Sequence, residues 1–394
     1  MSGAAARPAW RGRGILVWMH RWAGLVLALF LVLAGLTGSV LAFNEDLDAW
    51  LNPDLFDATP GAMQPVDALI AVAEGADKDA RVMRVSYPTP ARSSVLLGVV
   101  TRGTAPLGYD QVFVDPVTAR LLGRRDWGGC CQFPRQVMPF LFRFHYTLAA
   151  GQIGQWLMGG MAMLWTVDCF VGLWLTFPRL RPFLAWWGAA WRIKRTRNAF
   201  RLNLDLHRAG GLWCWALLLV MAVSGVALNL RGEVFQPVVA ALLPMRPEIS
   251  TMVHGMPLPT PALGFGGAAD IAVASRPAVP VFAYYIEPLG IYGIALRAPG
   301  VAIEAGLGPD WVYVDGRSGA VLRTDFAQSG WIGDMVLQAQ YPLHSGQIAG
   351  LAGRIVVCIL GLLVAMLAIT GVYIWWRKRA ARRRTIAAHV KAIA

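Results

Sequence analysis

The sequence predicts an α+β integral membrane protein: four transmembrane helices in a bundle plus two small α+β domains outside the membrane, built as a parallel internal duplication. Three observations carry this. The chain of 394 residues is 56% hydrophobic and only 15% charged, where a soluble domain carries about 25% charged residues. Four apolar runs, roughly 15–43, 153–177, 212–230 and 355–376, each reach the ~20 residues needed to cross the hydrocarbon core. Motifs also recur at fixed offsets between the two halves of the chain.

Taken in order, residues 1–14 form a short N-terminal segment and residues 15–43 the first span. That span is too long for a signal-peptide core and no small-residue cleavage site follows it, so it reads as retained. Residues 44–144 form the first outer domain, 145–177 the second span, and 178–206 a basic loop. Residues 207–230 form the third span, 231–343 the second outer domain, 344–376 the fourth span, and 377–394 a basic tail.

Charge orients these elements. The formal net charge is +13. Arg7, Arg11 and Arg13 precede span 1; Arg179, Arg181, Arg192, Lys194, Arg195, Arg197, Arg201 and Arg208 lie between spans 2 and 3; Arg377, Lys378, Arg379, Arg382, Arg383 and Arg384 follow span 4. Asp205 is the exception among few acids there. The positive-inside rule puts these three segments, both termini included, in the cytoplasm of a bacterial-type inner membrane. The two long loops then face the periplasm. The basic excess is topology, and no nucleic-acid partner is implied.

The repeat is regular. His20-Arg21 with Gly24, then Thr37-Gly38, returns 187 residues later as His207-Arg208 with Gly211, then Ser224-Gly225. His145 with Gly151, Gly154 and Gly172 returns 199 residues later as His344 with Gly350, Gly353 and Gly371. Val112-Phe-Val-Asp115 returns 200 residues later as Val312-Tyr-Val-Asp315. The unit is span, outer domain, span, used twice in one orientation. The glycines are read as packing sites where helices approach closely. Within each outer domain a strand (Val112–Val114), a turn started at Asp115-Pro116 and a return at Arg120–Leu122 predict an antiparallel sheet, with a helix near Val66–Ala76.

Of five cysteines, Cys169, Cys214 and Cys358 fall inside spans and read as packing residues. Cys130 and Cys131 are adjacent in the first outer domain; a vicinal disulfide and two ordinary loop cysteines are both open, the second favoured. No CxxC occurs.

Four of six histidines, His20, His145, His207 and His344, sit at span ends, one per span, at repeated positions. His254 and His389 lie in a loop and in the tail and read as inert. Ionisable residues near a span are costly and usually functional. Two imidazoles on facing helices make a b-type haem site, and without CxxCH no covalent attachment is available. His20 with His207 and His145 with His344 would hold two haem b at opposite depths. Interfacial anchoring and zinc binding are the competing readings of such histidines. Asp168, inside span 2, has no counterpart in span 4; a proton relay and a bundle hydrogen bond are equally open.

Residues His20-Arg21-Trp22-Ala23-Gly24, Leu36-Thr37-Gly38 and Phe43-Asn44-Glu45-Asp46-Leu47, with His145-Tyr146, Gly172-Leu173-Trp174, His344-Ser345-Gly346, Thr370-Gly371 and Trp375-Trp376-Arg377, resemble the PepSY-associated transmembrane-helix family. The segments ending at Asp115 and Asp315 resemble PepSY domains. In layout the chain resembles the FoxB-type ferric-siderophore reductases of that family. The resemblance implies an inner-membrane dihaem reductase that passes electrons to ferric siderophore iron(III) in the periplasm. Arg143, Tyr146 and Tyr341 flank the outer histidines and are the candidate substrate residues. With no flavin or nicotinamide fingerprint, the donor is a quinol or a protein, and membrane lipid surrounds the spans. The alternatives are a siderophore or peptide permease, which expects polar span interiors and broken helices, and a PepSY-type regulator that binds periplasmic proteins.

Overall fold

A computed structural model describes residues 11–178, 182–194, 196–247, 249–252, 257–298, 306–326 and 330–393. Arg7, Arg179, Arg181, Arg195 and His254, named above, lie outside the described residues. The helices are α1 (Arg11–Leu41), α2 (Asn44–Leu51), α3 (Pro53–Phe56), α4 (Val66–Gly75), α5 (Val137–Thr147), α6 (Gly151–Thr176), α7 (Phe183–Gly188), α8 (Ala199–Trp213), α9 (Trp215–Asn229), α10 (Gln236–Leu242), α11 (Ile249–Met252), α12 (Phe265–Ser275), α13 (Ile332–Ser345) and α14 (Gly350–Ile393). The strands are β1 (Ala80–Ser86), β2 (Val95–Thr101), β3 (Gln111–Val114), β4 (Leu121–Arg125), β5 (Val279–Ile286), β6 (Ile291–Arg297), β7 (Asp310–Asp315) and β8 (Val321–Asp325). The chain divides into a helical unit, residues 1–40, 145–235 and 355–394, and a sheet unit, residues 41–144 and 236–354.

In the helical unit α1, α6 and α14 are long and apolar enough to cross a membrane. Among the described residues they are three, or four if the bent pair α8–α9 counts as one span. That pair corrects the straight third span of the sequence reading: it turns by 71° at Cys214. Trp215 restores one contact beyond the turn by donating its Nε1–H to the Cys169 carbonyl at 2.9 Å. Helix α1 crosses α14 where Gly35 faces Gly361. A Cβ on Gly35 would lie 2.5 Å from the Gly361 carbonyl oxygen, so only glycine fits, and Ser39 hydrogen-bonds the Cys358 carbonyl beside it. This is the close approach that small residues permit in membrane packing. Arg13 donates to the Leu175 and Phe177 carbonyls, closing the C-terminal end of α6. The exceptional acid Asp205 is fully buried, and Arg201 and Arg208 from its own helix neutralise it at 3.1 and 2.8 Å.

Spans 2 and 4 start later than the sequence reading placed them. His145 belongs to α5 and His344 to α13, and the apolar helices begin at Gly151 and Gly350. Both glycines have left-handed backbone, φ +58° and +57°, which side chains disfavour. Gly154 and Gly353 serve these corners too: a Cβ there would meet the carbonyl oxygen of Thr147 or Gly346 at 1.7 or 2.0 Å. They are corner residues and not interhelical packing sites, a correction to the first reading.

In the sheet unit the two long segments share one eight-stranded antiparallel sheet, ordered β4-β3-β2-β1-β5-β6-β7-β8. The reading of two separate small domains is revised here, because β1 pairs with β5 through Arg84–Tyr284, Val85–Ala283 and Ser86–Phe282. Alternation, shifted by one residue at an irregularity between Val82 and Arg84, puts Val82, Val85, Leu97, Val99, Ile294, Leu296, Val312 and Val314 on one face. Against that face pack Val66, Leu69 and Ala73 of α4 and Phe265, Ala268 and Ala272 of α12. The predicted helix, strands and Asp-started turn of the first segment are α4, β3, β4 and the link between the strands. Asp115 accepts from the Val117 and Thr118 amides and from Thr59; Asp315 accepts from the Arg317 and Ser318 amides in the same way. Burial works to push the Asp115 carboxyl up, but the hydrogen bonds from Thr118, Thr59 and Val117 prevail and hold it well below the ordinary carboxylate range. Cys130 and Cys131 are joined in a disulfide on an exposed loop, against the favoured reading of two loop cysteines.

Candidate functional site

Three of the four sequence-predicted histidines lie in the helical unit. His20 of α1 and His207 of α8 stand together, ring centroids 6.1 Å apart and planes tilted by 56°. An imidazole–metal–imidazole axis sets the ring centroids about 6 Å apart, since each nitrogen–metal bond is about 2 Å and each nitrogen lies about 1 Å from the centre of its ring. The spacing therefore suits one metal atom between two ring nitrogens.

The orientation of each ring is fixed from behind. His20 Nδ1–H donates to Asp168 Oδ1 at 2.9 Å, which answers the open question about Asp168 in favour of a bundle hydrogen bond. His207 Nδ1–H donates to the Leu367 carbonyl at 2.9 Å, with Thr370 Oγ1 at 3.2 Å. A carboxylate or a carbonyl can only accept, so Nδ1 carries the proton and Nε2 carries the lone pair in the neutral ring. His145 Nδ1 lies 2.8 Å from Thr37 Oγ1. The Thr37 proton already goes to the Leu33 carbonyl at 2.7 Å, so the hydroxyl accepts from His145. Metal-ligating histidines are held in this manner, with the distal ring N–H donated to a carboxylate, carbonyl or other acceptor.

Each ring also rests on a glycine of a neighbouring helix. A Cβ on Gly172 would lie 3.4 Å from His20 Cε1, one on Gly371 3.1 Å from His207 Cε1, and one on Gly38 3.1 Å from His145 Cε1. Sequence reasoning had these glycines as bundle packing. The signal that identifies them is their recurrence with the histidines in the repeat: Gly172 and Gly371 are 199 residues apart, and each serves one member of the His20–His207 pair.

The donor set fits a group that needs only two axial nitrogens and supplies its own equatorial ones. No cluster of three or more His, Cys, Asp or Glu that could hold a bare metal ion occurs among the described residues. Two imidazoles with fixed tautomers, each seated on a glycine, are a donor set that could hold such a group.

His344 closes α13 in the sheet unit, where its last turn ends at Gly346 in left-handed conformation. That unit also contains a cavity of about 290 Å³. Its wall includes Tyr341, Trp127, Arg92, Arg125, Asp48 and Glu45. Arg125 grips both Asp48 oxygens at 2.8 and 2.9 Å, the pair being almost wholly buried. Burial raises the Asp48 carboxyl above its ordinary value against the pull of Arg125. Arg92, also buried, donates to the carbonyls of Ser94 and Tyr87 and lies 3.6 Å from Glu45. Of the sequence-predicted substrate residues only Tyr341 lines this cavity. Arg143 stands beside Gly128 on α5, and Tyr146 belongs to the helical unit.

A unit of apolar, membrane-length helices together with an eight-stranded antiparallel sheet makes this an α+β membrane protein. The model of the family described as PepSY-associated TM region matches residues 17–378, nearly the whole chain, and the protein belongs to that family. No curated protein matches the chain.

Proposed function

We propose that this protein is a b-type dihaem reductase of the bacterial inner membrane that delivers electrons to iron(III) held by a siderophore. The observation that supports it is the His20–His207 pair: two imidazoles from different helices at metal-bridging distance, each tied through Nδ1 and seated on glycine. In this reading His20 and His207 would hold one haem. His145, tied to Thr37, would hold a second. Bound haem b supplies reversible one-electron exchange between iron(III) and iron(II). The protein's part is to fix the ring planes, through Asp168, the Leu367 carbonyl and Thr37.

The matched halves of the chain and the matched halves of the sheet support an origin by duplication. The charge pattern supports a periplasmic sheet unit. Its cavity has both signs of charge and an aromatic wall, Trp127 and Tyr341. That composition suits a polar iron chelate of low net charge, which it would hold for reduction. Reduction to iron(II) weakens the hard-oxygen ligation and frees the metal. A quinol or a protein donates the electrons.

The break at Cys214 meets one of the two expectations for a permease, broken helices. The bend has another use in the present reading: it lets α8 turn away from α9 while His207 reaches Leu367 of α14. Absorption spectra of purified protein, oxidised and reduced, with a pyridine haemochrome assay, test the proposal. Two haems per chain are expected, and ferric siderophore should reoxidise the reduced protein with iron(II) captured by a chelator. A colourless preparation refutes it and leaves the permease or the regulator.

A further inference from the structure

The three imidazoles of the helical unit are held by different kinds of acceptor, and only one acceptor is a carboxylate. Asp168 Oδ1 takes the His20 proton at 2.9 Å, and the carboxylate is 11% exposed within the span helix α6. Position 367, which the 199-residue offset relates to 168, is a leucine, and its backbone carbonyl does the same work for His207. His145 has a threonine hydroxyl. A carbonyl or a hydroxyl is thus sufficient to orient an imidazole in this fold. A carboxylate in a membrane span is expensive, so orientation alone does not account for Asp168.

What a carboxylate adds is charge. Accepting the Nδ1–H, it draws the proton toward itself and leaves Nε2 more basic. A more basic axial nitrogen, with an anion close behind it in a medium of low dielectric, favours iron(III) over iron(II). The effect is local, since it runs through one ring to one metal position. We propose that Asp168 is a positioning residue that sets the potential of the His20–His207 centre and makes it the lower-potential one of the two. Electrons entering there run downhill to the centre ligated by His145, whose imidazole is held by the neutral Thr37. The inference rests on the haem reading above.

The test is a potentiometric titration of the purified, haem-loaded protein, with dithionite as electron source and the reduced-haem absorption as readout. Wild type is expected to show two one-electron midpoints. In Asp168→Asn the amide oxygen still accepts the His20 proton, so ring orientation is kept and the charge is lost. The lower midpoint should rise so that the ratio of reduced to oxidised haem at a fixed potential grows about tenfold or more, which is about 59 mV for one electron. The upper midpoint should stay where it was, and Asp168→Glu should restore the lower value in part. An Asn variant with two haems and both midpoints unchanged overturns the proposal, as does one in which only the upper midpoint moves. If Asp168→Asn fails to hold haem, the low-spin electron paramagnetic resonance spectrum of the wild type decides. One centre with histidinate character supports the assignment, and two centres of neutral-imidazole type overturn it. A wild type without haem rejects the function itself, and this inference with it.

Discussion

The glycine seats permit a graded prediction. The seat distances are 3.1 Å at Gly371 and Gly38 and 3.4 Å at Gly172, against a carbon–carbon contact that is comfortable from about 3.5 Å. Alanine at 172 asks the His20 ring to give about 0.1 Å. Alanine at 371 asks His207 to give about 0.4 Å while its Nδ1 is held by a 2.9 Å hydrogen bond to Leu367. Disturbing such a partner costs about 10- to 100-fold in metal affinity, and a shift this small belongs at the low end. Leucine at either position needs the space that the ring occupies and should remove it as a ligand. The helix responds in the opposite sense, because alanine is better than glycine in a helix interior by about 1 kcal/mol. Gly172→Ala should therefore keep its haem and lose no thermal stability as apoprotein. Gly371→Ala should bind haem up to about tenfold more weakly with an apoprotein at least as stable as wild type. Gly371→Leu should lose the His20–His207 haem. Haem-to-protein ratios and apoprotein melting measure both quantities. A folded Gly371→Leu protein with its full low-spin haem content would falsify the seat argument.

Replacing His20 or His207 by Ala should halve the haem content and leave the second centre intact, measured by haemochrome assay; unchanged content in both variants rejects the pairing. Reporter fusions at Pro60 and Pro261 should read outside the cytoplasm and one at Arg192 inside, and a cytoplasmic signal at Pro60 contradicts the charge argument. Removing one partner of the buried Asp48–Arg125 pair, as in Asp48→Ala, should destabilise the sheet unit by about 3–5 kcal/mol, seen as an earlier loss of its β signal on heating. Because the folded-state carboxyl of Asp115 lies below its unfolded value, its contribution is fully present above the unfolded value near 3.8 and is lost as pH falls through the folded one. Asp115→Ala should thus cost about 1–3 kcal/mol at neutral pH, and the deficit relative to wild type should shrink in strong acid. A deficit that is constant with pH refutes that assignment.

The amino-acid order alone was sufficient for the features that depend on local or compositional free energy. Apolar length marks membrane helices because hydrocarbon tolerates little else, so α1, α6 and α14 were legible as spans. Histidines at repeated span ends were legible as candidates because imidazoles in lipid are rare. The Asp115 and Asp315 turns were legible because an aspartate caps its own following amides. Tertiary structure decided the rest. The acceptors of His20, His207 and His145 lie 148, 160 and 108 residues away in the chain, and a histidine carries no local mark of which distant oxygen will orient it. The same holds for Gly172, Gly371 and Gly38: a glycine in an apolar helix reads alike whether it faces lipid, a backbone or an imidazole. The bend at Cys214 and the pairing of β1 with β5 were hidden for a related reason. An apolar run does not encode its own direction, and a strand edge pairs according to what else the folded chain brings beside it.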